Sequence, residues 1–172
     1  MFDRFGTAYQ GISIDYAVEQ IPLGTGGGLL HAAEGSKEPF VVLNGDTFFE
    51  VNLEGLSGFH AEHGSEWTLA LFRTSEIGRY MGIEVADDGH LLLLQSGTAR
   101  PGRLANGGAY LVEPSVLSAF QPGREKKLSL EDDLLPDLLE QGHKLYGVEQ
   151  SGCFIDIGIP EDYLRSAGVV LQ

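Results

Sequence analysis

Two aspartates follow apolar segments of this chain, and their positions suggest a metal site. Asp46 ends the segment "VVLNGD", and Asp156 lies in "CFIDIG". In open α/β sheets, ligands lie beyond the carboxyl ends of the strands. Two carboxylates that meet there would hold Mg²⁺, which takes one or two carboxylates together with phosphates and water. The alternative is that each aspartate only ends its strand, as a turn former or a helix cap. The pattern alone leaves both interpretations open.

A glycine-rich segment, "LGTGGG" at residues 23–28, contains three further candidates: Gly24, Thr25 and Gly26. It lies between a predicted strand and a predicted helix, where glycines let backbone N–H groups approach an anion or the edge of a base. A loop that needs positive φ angles would show the same pattern. No Gly-Lys-Ser/Thr follows, which excludes a P-loop, and the full dinucleotide-binding spacing is absent as well.

Two segments contain groups that suit a sugar phosphate. In "RYMG", Arg79 is suited to a phosphate and the backbone of Gly82 to a sugar. In "ANGGAY", the Asn106 amide is suited to a sugar hydroxyl, and the glycines beside it leave room for a ring. The alternatives are a simple loop for the first segment and a bulge or tight turn for the second.

The elements that must position these residues follow from hydrophobic periodicity and from turn and cap signals. Predicted strands are 11–19, 39–46, 66–74 and 104–114, a hairpin at 81–97 around Asp88-Gly89, and two strands between 144 and the helix that Pro160 opens. Predicted helices are 27–34, 52–64, 127–142 and the segment from Pro160. This alternation predicts an α/β fold: a Rossmann-like, mostly parallel sheet with an antiparallel insertion around 81–112.

The predicted helix at 127–142 begins with Ser129 as N-cap and Asp132 three residues later. The acidic run 131–133 is interpreted as serving the helix dipole and solvent. At 172 residues, the chain is predicted to be a single domain, 1–172.

Composition excludes several classes of protein. The net charge of −14 argues against nucleic acid as a partner, because a phosphate backbone favours Lys and Arg. No apolar run reaches the roughly 20 residues of a membrane helix, so we expect no membrane partner. The single cysteine, Cys153, excludes an internal disulfide framework and a cysteine zinc site. A reducing compartment fits that usage, and we expect a cytoplasmic location.

The segments "PLGTGGG", "FVVLNGDTFFEVNL", "RYMGIEV", "LANGGAYLV", "SLEDDLLPDLL" and "FIDIGIPEDY" occur in the order of a known family. From about Gly11 to Val170 the chain resembles the sugar-1-phosphate nucleotidyltransferases. Within that family it is similar to the D-glycero-α-D-manno-heptose 1-phosphate and mannose-1-phosphate guanylyltransferases. The resemblance implies the nucleotide-diphospho-sugar transferase fold. It also implies a Mg²⁺-dependent reaction in which a sugar-phosphate oxygen attacks the α-phosphorus of a nucleoside triphosphate, expected to be GTP, and pyrophosphate leaves.

The resemblance also assigns roles to the candidate residues. It implies that Asp46 and Asp156 are the catalytic Mg²⁺ ligands. The implied contacts of the nucleobase or ribose are Gly24, Thr25 and Gly26, and those of the sugar are Gly82 and Asn106.

Two departures from the family pattern bear on catalysis. The family's glycine-rich phosphate loop, with its catalytic Arg and Lys, has no counterpart here, and Gln95, Ser96 and Gly97 stand where a Glu-Lys pair is usual. We therefore expect a fold without the family's first strands, impaired turnover, and a strand edge at "VVLNG" that a second copy covers. The alternatives to an enzyme are a non-catalytic sugar-nucleotide-binding module and a dimerising structural remnant.

Overall fold

The structure is a computed structural model that describes residues 2–118, 120, 127–158 and 160–170. Its strands are β1 (Ala8–Tyr9), β2 (Ile12–Ser13), β3 (Phe40–Leu43), β4 (Thr47–Phe49), β5 (Trp67–Arg73), β6 (Gly82–Val85), β7 (Leu91–Gln95), β8 (Leu104–Val112), β9 (Leu145–Glu149) and β10 (Phe154–Asp156). Its helices are α1 (Phe2–Phe5), α2 (Gly24–Ala32), α3 (Leu53–His63), α4 (Pro114–Leu117), α5 (Leu135–Glu140) and α6 (Pro160–Val170). A π-helical turn, Leu130–Leu134, leads into α5.

The main sheet has six strands, and β8 is its central member. Strands β3, β5 and β6 all pair antiparallel with β8, while β9 pairs parallel with β5 and β7 pairs antiparallel with β6. Four strands therefore run in one direction, and β7 and β8 run in the other. The predicted α/β fold with an antiparallel insertion is confirmed. Strand β8, which comes from the insertion, lies between β3 and β5 and separates these two parallel strands. Strands β5 and β9 are therefore the hydrogen-bonded pair that runs parallel.

Apolar side chains cover both faces of the sheet, as expected for an α/β fold. Alternate residues of β5 point to opposite sides, so Leu69 and Leu71 join the main core while Ala70 joins a smaller cluster beneath α3. The main core includes buried leucines of the π-helical turn and α5: Leu130, Leu134, Leu135 and Leu138. Fully burying one such side chain contributes roughly 1.5–3 kcal/mol. This packing fixes the π-helical turn against the sheet.

Cap signals correctly predicted the ends of α3 and the start of the π-helical turn. The start predicted for the preceding helix is wrong, because α2 begins at Gly24 and the glycine-rich segment forms its first turns. The Asn52 side chain accepts from the backbone of Gly55 at 3.0 Å, and Gly64 ends α3 in the left-handed region with φ +54°. Ser129 is the N-cap of the π-helical turn, and its hydroxyl accepts from the Asp132 N–H at 3.1 Å. The hairpin of β6 and β7 around Asp88-Gly89 is also confirmed.

The strand predicted at 11–19 is wrong over most of its length. Only Ile12–Ser13 is a strand, paired with β1, and residues 14–23 form neither helix nor strand. A strand needs a neighbour to satisfy its backbone groups, and no described strand lies beside this segment. Among the described helices, none has the length and apolar character to cross a membrane.

One edge of β3 is left open. The strand pairs with β8 along one side, and on its other side it pairs with no strand in the described parts of the chain. Phe40 and Val42 pack against the main core, whereas Val41 and Leu43 are 41% and 66% exposed. Strand β3 therefore has an unpaired edge, at the place the sequence predicted, and an exposed apolar face.

Candidate functional site

Two adjoining cavities bring most of the candidate residues together. The first cavity, of about 250 Å³, has polar walls formed by Asp46, Arg79, Asn106, Glu131 and Asp156, among other residues. The second cavity, of about 540 Å³, is bordered by Thr25, Asn44, Gly45, Asp46, Ser129, Leu130 and Glu131. Since Asn44, Asp46 and Glu131 border both cavities, the two are neighbouring parts of one depression. The second lies in the usual size range of small-molecule sites.

A short antiparallel ribbon brings the two aspartates side by side. Strand β10 pairs with β4 so that Asp156 lies opposite Thr47, and the Ile157 N–H donates to the Asp46 carbonyl oxygen at 2.8 Å. Asp46 follows β3 of the main sheet, as the sequence suggested. Asp156 ends a strand of this separate ribbon. The ribbon therefore joins carboxylates from distant parts of the chain at one cavity.

The two aspartates differ in their surroundings. Asp46 is exposed, and its carboxylate has no hydrogen-bond partner among the described residues. Asp156 is partly buried: its Oδ1 accepts from the Gly158 N–H at 2.7 Å and its Oδ2 accepts from Arg79 at 3.1 Å. Asp46 is therefore free to bind a cation, and Asp156 already has a positively charged partner.

Arg79 is the only lysine or arginine among the described residues that line either cavity. Its Nη1 donates to Asp162 at 2.6 Å and to Glu76 at 3.2 Å, and its Nη2 donates to the side chain and backbone of Asp156. Burial lowers the pKa of Arg79, but the hydrogen bonds with Asp162, Glu76 and Asp156 outweigh it and raise that pKa. The terminal nitrogens are thus committed to protein acceptors.

Asn106 is buried and its amide is used within the protein. Its Nδ2 donates to the Tyr110 hydroxyl and to Glu131 Oε1, both at 2.7 Å, while its Oδ1 accepts from the Gly108 N–H at 3.2 Å. The amide therefore orients Glu131 toward the first cavity.

The interpretation of residues 131–133 as facing solvent is wrong for Glu131. Burial raises the pKa of its carboxyl, the hydrogen bond from Asn106 lowers it, and the nearby charges of Asp132 and Asp46 raise it further, with a net rise. The local sequence signal identified a helix start and nothing more. The contact between Glu131 and Asn106 depends on tertiary packing. No local sequence signal could have identified Glu131 as a cavity residue.

The glycine-rich segment packs tightly against residues 128–129, which precede the π-helical turn. A Cβ at Gly24, which has φ +80°, would lie 2.5 Å from the Leu128 carbonyl oxygen, and that oxygen accepts from the Gly26 N–H at 2.8 Å. Thr25 is exposed, borders the second cavity, and accepts from the Leu130 N–H at 2.9 Å. Of the three candidates, Thr25 reaches the cavity, and the two glycines allow the close approach that places it there.

The profile of the Nucleotidyl transferase family matches residues 1–172. The chain belongs to this family. It is 36% identical over 163 residues to a D-glycero-alpha-D-manno-heptose 1-phosphate guanylyltransferase of Aneurinibacillus thermoaerophilus, covering 94% of this chain and 69% of that protein. It is 32% identical over 167 residues to the mannose-1-phosphate guanylyltransferase catalytic subunit beta of Dictyostelium discoideum, covering 94% of this chain and 45% of that subunit.

Solved structures agree with this membership. The crystal structure of HddC from Yersinia pseudotuberculosis superposes with a TM-score of 0.78 at 26% identity, covering 92% of this chain and 67% of that one. A second crystal structure of HddC holds GMP-PN. A UDP-glucose pyrophosphorylase, at 18% identity and a TM-score of 0.75, shares the fold. The chain thus spans about two thirds of the length of the heptose 1-phosphate guanylyltransferase and of HddC, and less than half of the length of several mannose-1-phosphate guanylyltransferases.

The oxygen donors of this nucleotidyl transferase chain suit Mg²⁺. Within the described residues, no group of three or more His, Cys, Asp or Glu side chains is arranged to hold a metal ion alone. Mg²⁺ does not need such a group, because it takes one or two carboxylates with phosphates and water. The unpartnered carboxylate of Asp46 lies beside Asp156, and Glu131 adds a third carboxyl group to the cavity wall. These residues fit the ion.

Gly82 does not border either cavity, although its neighbour Met81 lines the first. A Cβ at Gly82 would lie 2.6 Å from the Thr98 hydroxyl oxygen, so the glycine allows the two segments to pack closely. Its backbone remains the candidate group for a sugar contact, as the resemblance implied.

Proposed function

We propose that this chain binds a sugar nucleotide with Mg²⁺ and has the chemistry of a sugar-1-phosphate guanylyltransferase. The single observation that carries the proposal is the convergence of Asp46, Glu131 and Asp156 on one cavity that opens into a second beside Thr25. The guanylyltransferase relatives and the GMP-PN complex of HddC support a guanine nucleotide as ligand. The reaction would join a nucleoside triphosphate and a sugar 1-phosphate to give an NDP-sugar and pyrophosphate.

In this proposal each side chain has a distinct task. Asp46 and Asp156 would hold Mg²⁺, which when bound neutralises phosphate charge at the reacting centre. Glu131 would accept a hydrogen bond from a sugar hydroxyl, because its carboxylate faces the first cavity and Asn106 holds it there. Thr25 would border the nucleotide in the second cavity. In-line phosphoryl displacement needs mainly positioning and charge neutralisation, which such a site can supply.

We propose that turnover by this chain alone is low. A triphosphate carries several negative charges, and the one arginine among the described cavity residues is already paired with acids. The same observation favours a second candidate function, a module that binds the NDP-sugar without turnover. In that case the NDP-sugar should bind more tightly than the nucleoside triphosphate, because it lacks the β- and γ-phosphates that leave as pyrophosphate.

The test compares turnover with binding. Pyrophosphate release is measured with GTP or other nucleoside triphosphates, Mg²⁺ and a panel of sugar 1-phosphates, and GDP-sugar binding is measured by calorimetry. Asp46→Asn removes the free carboxylate, and Arg103→Gln serves as control because Arg103 forms an exposed ion pair with Glu84 away from both cavities. If wild type releases pyrophosphate and Asp46→Asn does not, the chain is an enzyme. If wild type binds GDP-sugars without turnover, the chain is a binding module. A chain that does neither contradicts both.

We also propose that a second copy of the chain covers the open edge of β3. In an antiparallel pair of two β3 strands, Val41 and Leu43 of both copies would lie on one face of the joined sheet and contact each other across the pair. The net charge of −14 opposes association, so dimer formation should increase with ionic strength. Light scattering at micromolar concentration tests this, with Val41→Lys expected to give monomer and Leu92→Lys, an exposed leucine of β7, expected to leave the dimer intact. A wild-type monomer at all salt concentrations contradicts the proposal.

A further inference from the structure

The guanidinium of Arg79 lies on the carboxylate that the proposed function assigns to Mg²⁺. Its Nη2 is 3.1 Å from Asp156 Oδ2 and 3.2 Å from the Asp156 backbone oxygen. The Asp46 carboxylate, which borders the same cavity, has no such partner among the described residues. One half of the acidic pair is therefore neutralised by the protein itself.

Arg79 is anchored independently of Asp156. Its Nη1 donates to Asp162 at 2.6 Å and to Glu76 at 3.2 Å. The Asp162 side chain is only 8% exposed, and it lies on α6, where its other oxygen accepts from Arg165 at 2.7 Å. If the contact with Asp156 is lost, Arg79 keeps two acidic partners.

We propose that Arg79 is a positioning residue that acts as an internal counter-cation: it holds Asp156 while the divalent site is empty and is displaced from Asp156 Oδ2 when the cation binds. The inference rests on the proposed function, because it takes Asp46 and Asp156 as the metal ligands. It explains how three acidic side chains line one small cavity of a chain whose net charge is −14.

The opposite role is to orient Asp156 for the metal. Hydrogen-bond partners of ligating carboxylates often act in this way, and their removal weakens metal binding about 10–100-fold. Charge argues for competition here, because a full positive charge at hydrogen-bond distance from a ligand oxygen repels a divalent cation on the same carboxylate. Asp156 also has a second orienting contact, from the Gly158 N–H to Oδ1, which does not depend on Arg79.

The experiment measures Mn²⁺ affinity for the free protein by electron paramagnetic resonance of unbound Mn²⁺. Arg79→Gln is expected to bind Mn²⁺ about tenfold more tightly than wild type, within the usual 5–150-fold range of coupling between two ligands. Arg103→Gln removes the same charge from an exposed ion pair and is expected to leave the affinity within about twofold. Circular dichroism shows whether Arg79→Gln is folded. If it is not, Arg79→Lys replaces it, since a lysine keeps the charge for Asp162 but lacks the fork that reaches Asp156.

The outcomes separate this inference from the proposed function. The metal site itself is wrong if wild type does not bind Mn²⁺, or if Asp46→Asn binds it as tightly as wild type does. In either case the inference about Arg79 is wrong as well. If that site exists but the Arg79 variant binds Mn²⁺ with equal or weaker affinity, competition is wrong while the metal site stands. Tighter binding by the Arg79 variant, with no change in Arg103→Gln, supports the competition.

Discussion

The loop after β3 and the end of strand β10 each present one aspartate to the same cavity, and the surroundings of the two aspartates differ. Asp46 is exposed and its carboxylate is unpartnered among the described residues, whereas Asp156 accepts hydrogen bonds from Gly158 and Arg79. Removing a carboxylate costs a protein little stability where the group is solvated and more where it is paired and partly buried. Two residues with one expected ligand role therefore have different structural roles.

The largest effect is expected for Asp156→Asn, which should lose both binding and stability. The variant leaves Arg79 with a neutral partner, and a partly buried hydrogen bond between charged groups contributes about 2 kcal/mol. For a domain of this size, Tm should fall by roughly 4–8 °C. Calorimetric unfolding at neutral pH measures it. An unchanged Tm would show that the contact between Arg79 and Asp156 contributes nothing to the folded state.

Asp46→Asn should separate binding from stability. Because the Asp46 carboxylate has no described partner, the free energy of unfolding should stay within about 0.5 kcal/mol of wild type. Mn²⁺ affinity should fall at least about tenfold, since one of two carboxylate ligands is lost. The same unfolding and Mn²⁺ titration experiments apply. A drop in stability equal to that of Asp156→Asn would remove the distinction between the two aspartates.

The smallest effect is expected for Glu131→Gln, and it depends on pH. The pKa of Glu131 is raised in the folded protein, mainly by burial. Folded protein therefore holds this proton at pH values where the unfolded chain has released it, so wild-type stability falls as pH rises from the unfolded pKa through the folded one. Glu131→Gln lacks this pH-dependent contribution. Its free energy of unfolding relative to wild type should therefore increase as pH rises from the unfolded pKa to the folded pKa of Glu131, and should stay constant at higher pH.

Thermal unfolding of Glu131→Gln and wild type from pH 4 to pH 8 tests the expected sign, with the exposed Glu62→Gln as a control for the loss of one negative charge. A gain in stability that shrinks as pH rises would contradict the assignment. The variant should also bind GDP-sugars more weakly if Glu131 accepts a sugar hydroxyl.

Sequence patterns predicted the features that depend on near neighbours. The hairpin at Asp88-Gly89, the left-handed Gly64 and the Ser129 cap are all present, because turn and cap preferences are set by a few consecutive residues. The same reasoning failed for the strand at 11–19. Alternation of apolar residues is a local property, but a strand forms only where another strand satisfies its backbone.

By itself, the sequence determined the α/β fold class, the family, and the placement of Asp46 directly after a strand. Tertiary structure alone decided which groups are free to act. It placed Arg79 on Asp156, and Asn106 on Glu131, across long separations in the chain. A residue's type sets what it can bind, whereas its burial and its partners set whether that capacity is still available, and both are fixed only when distant segments pack together.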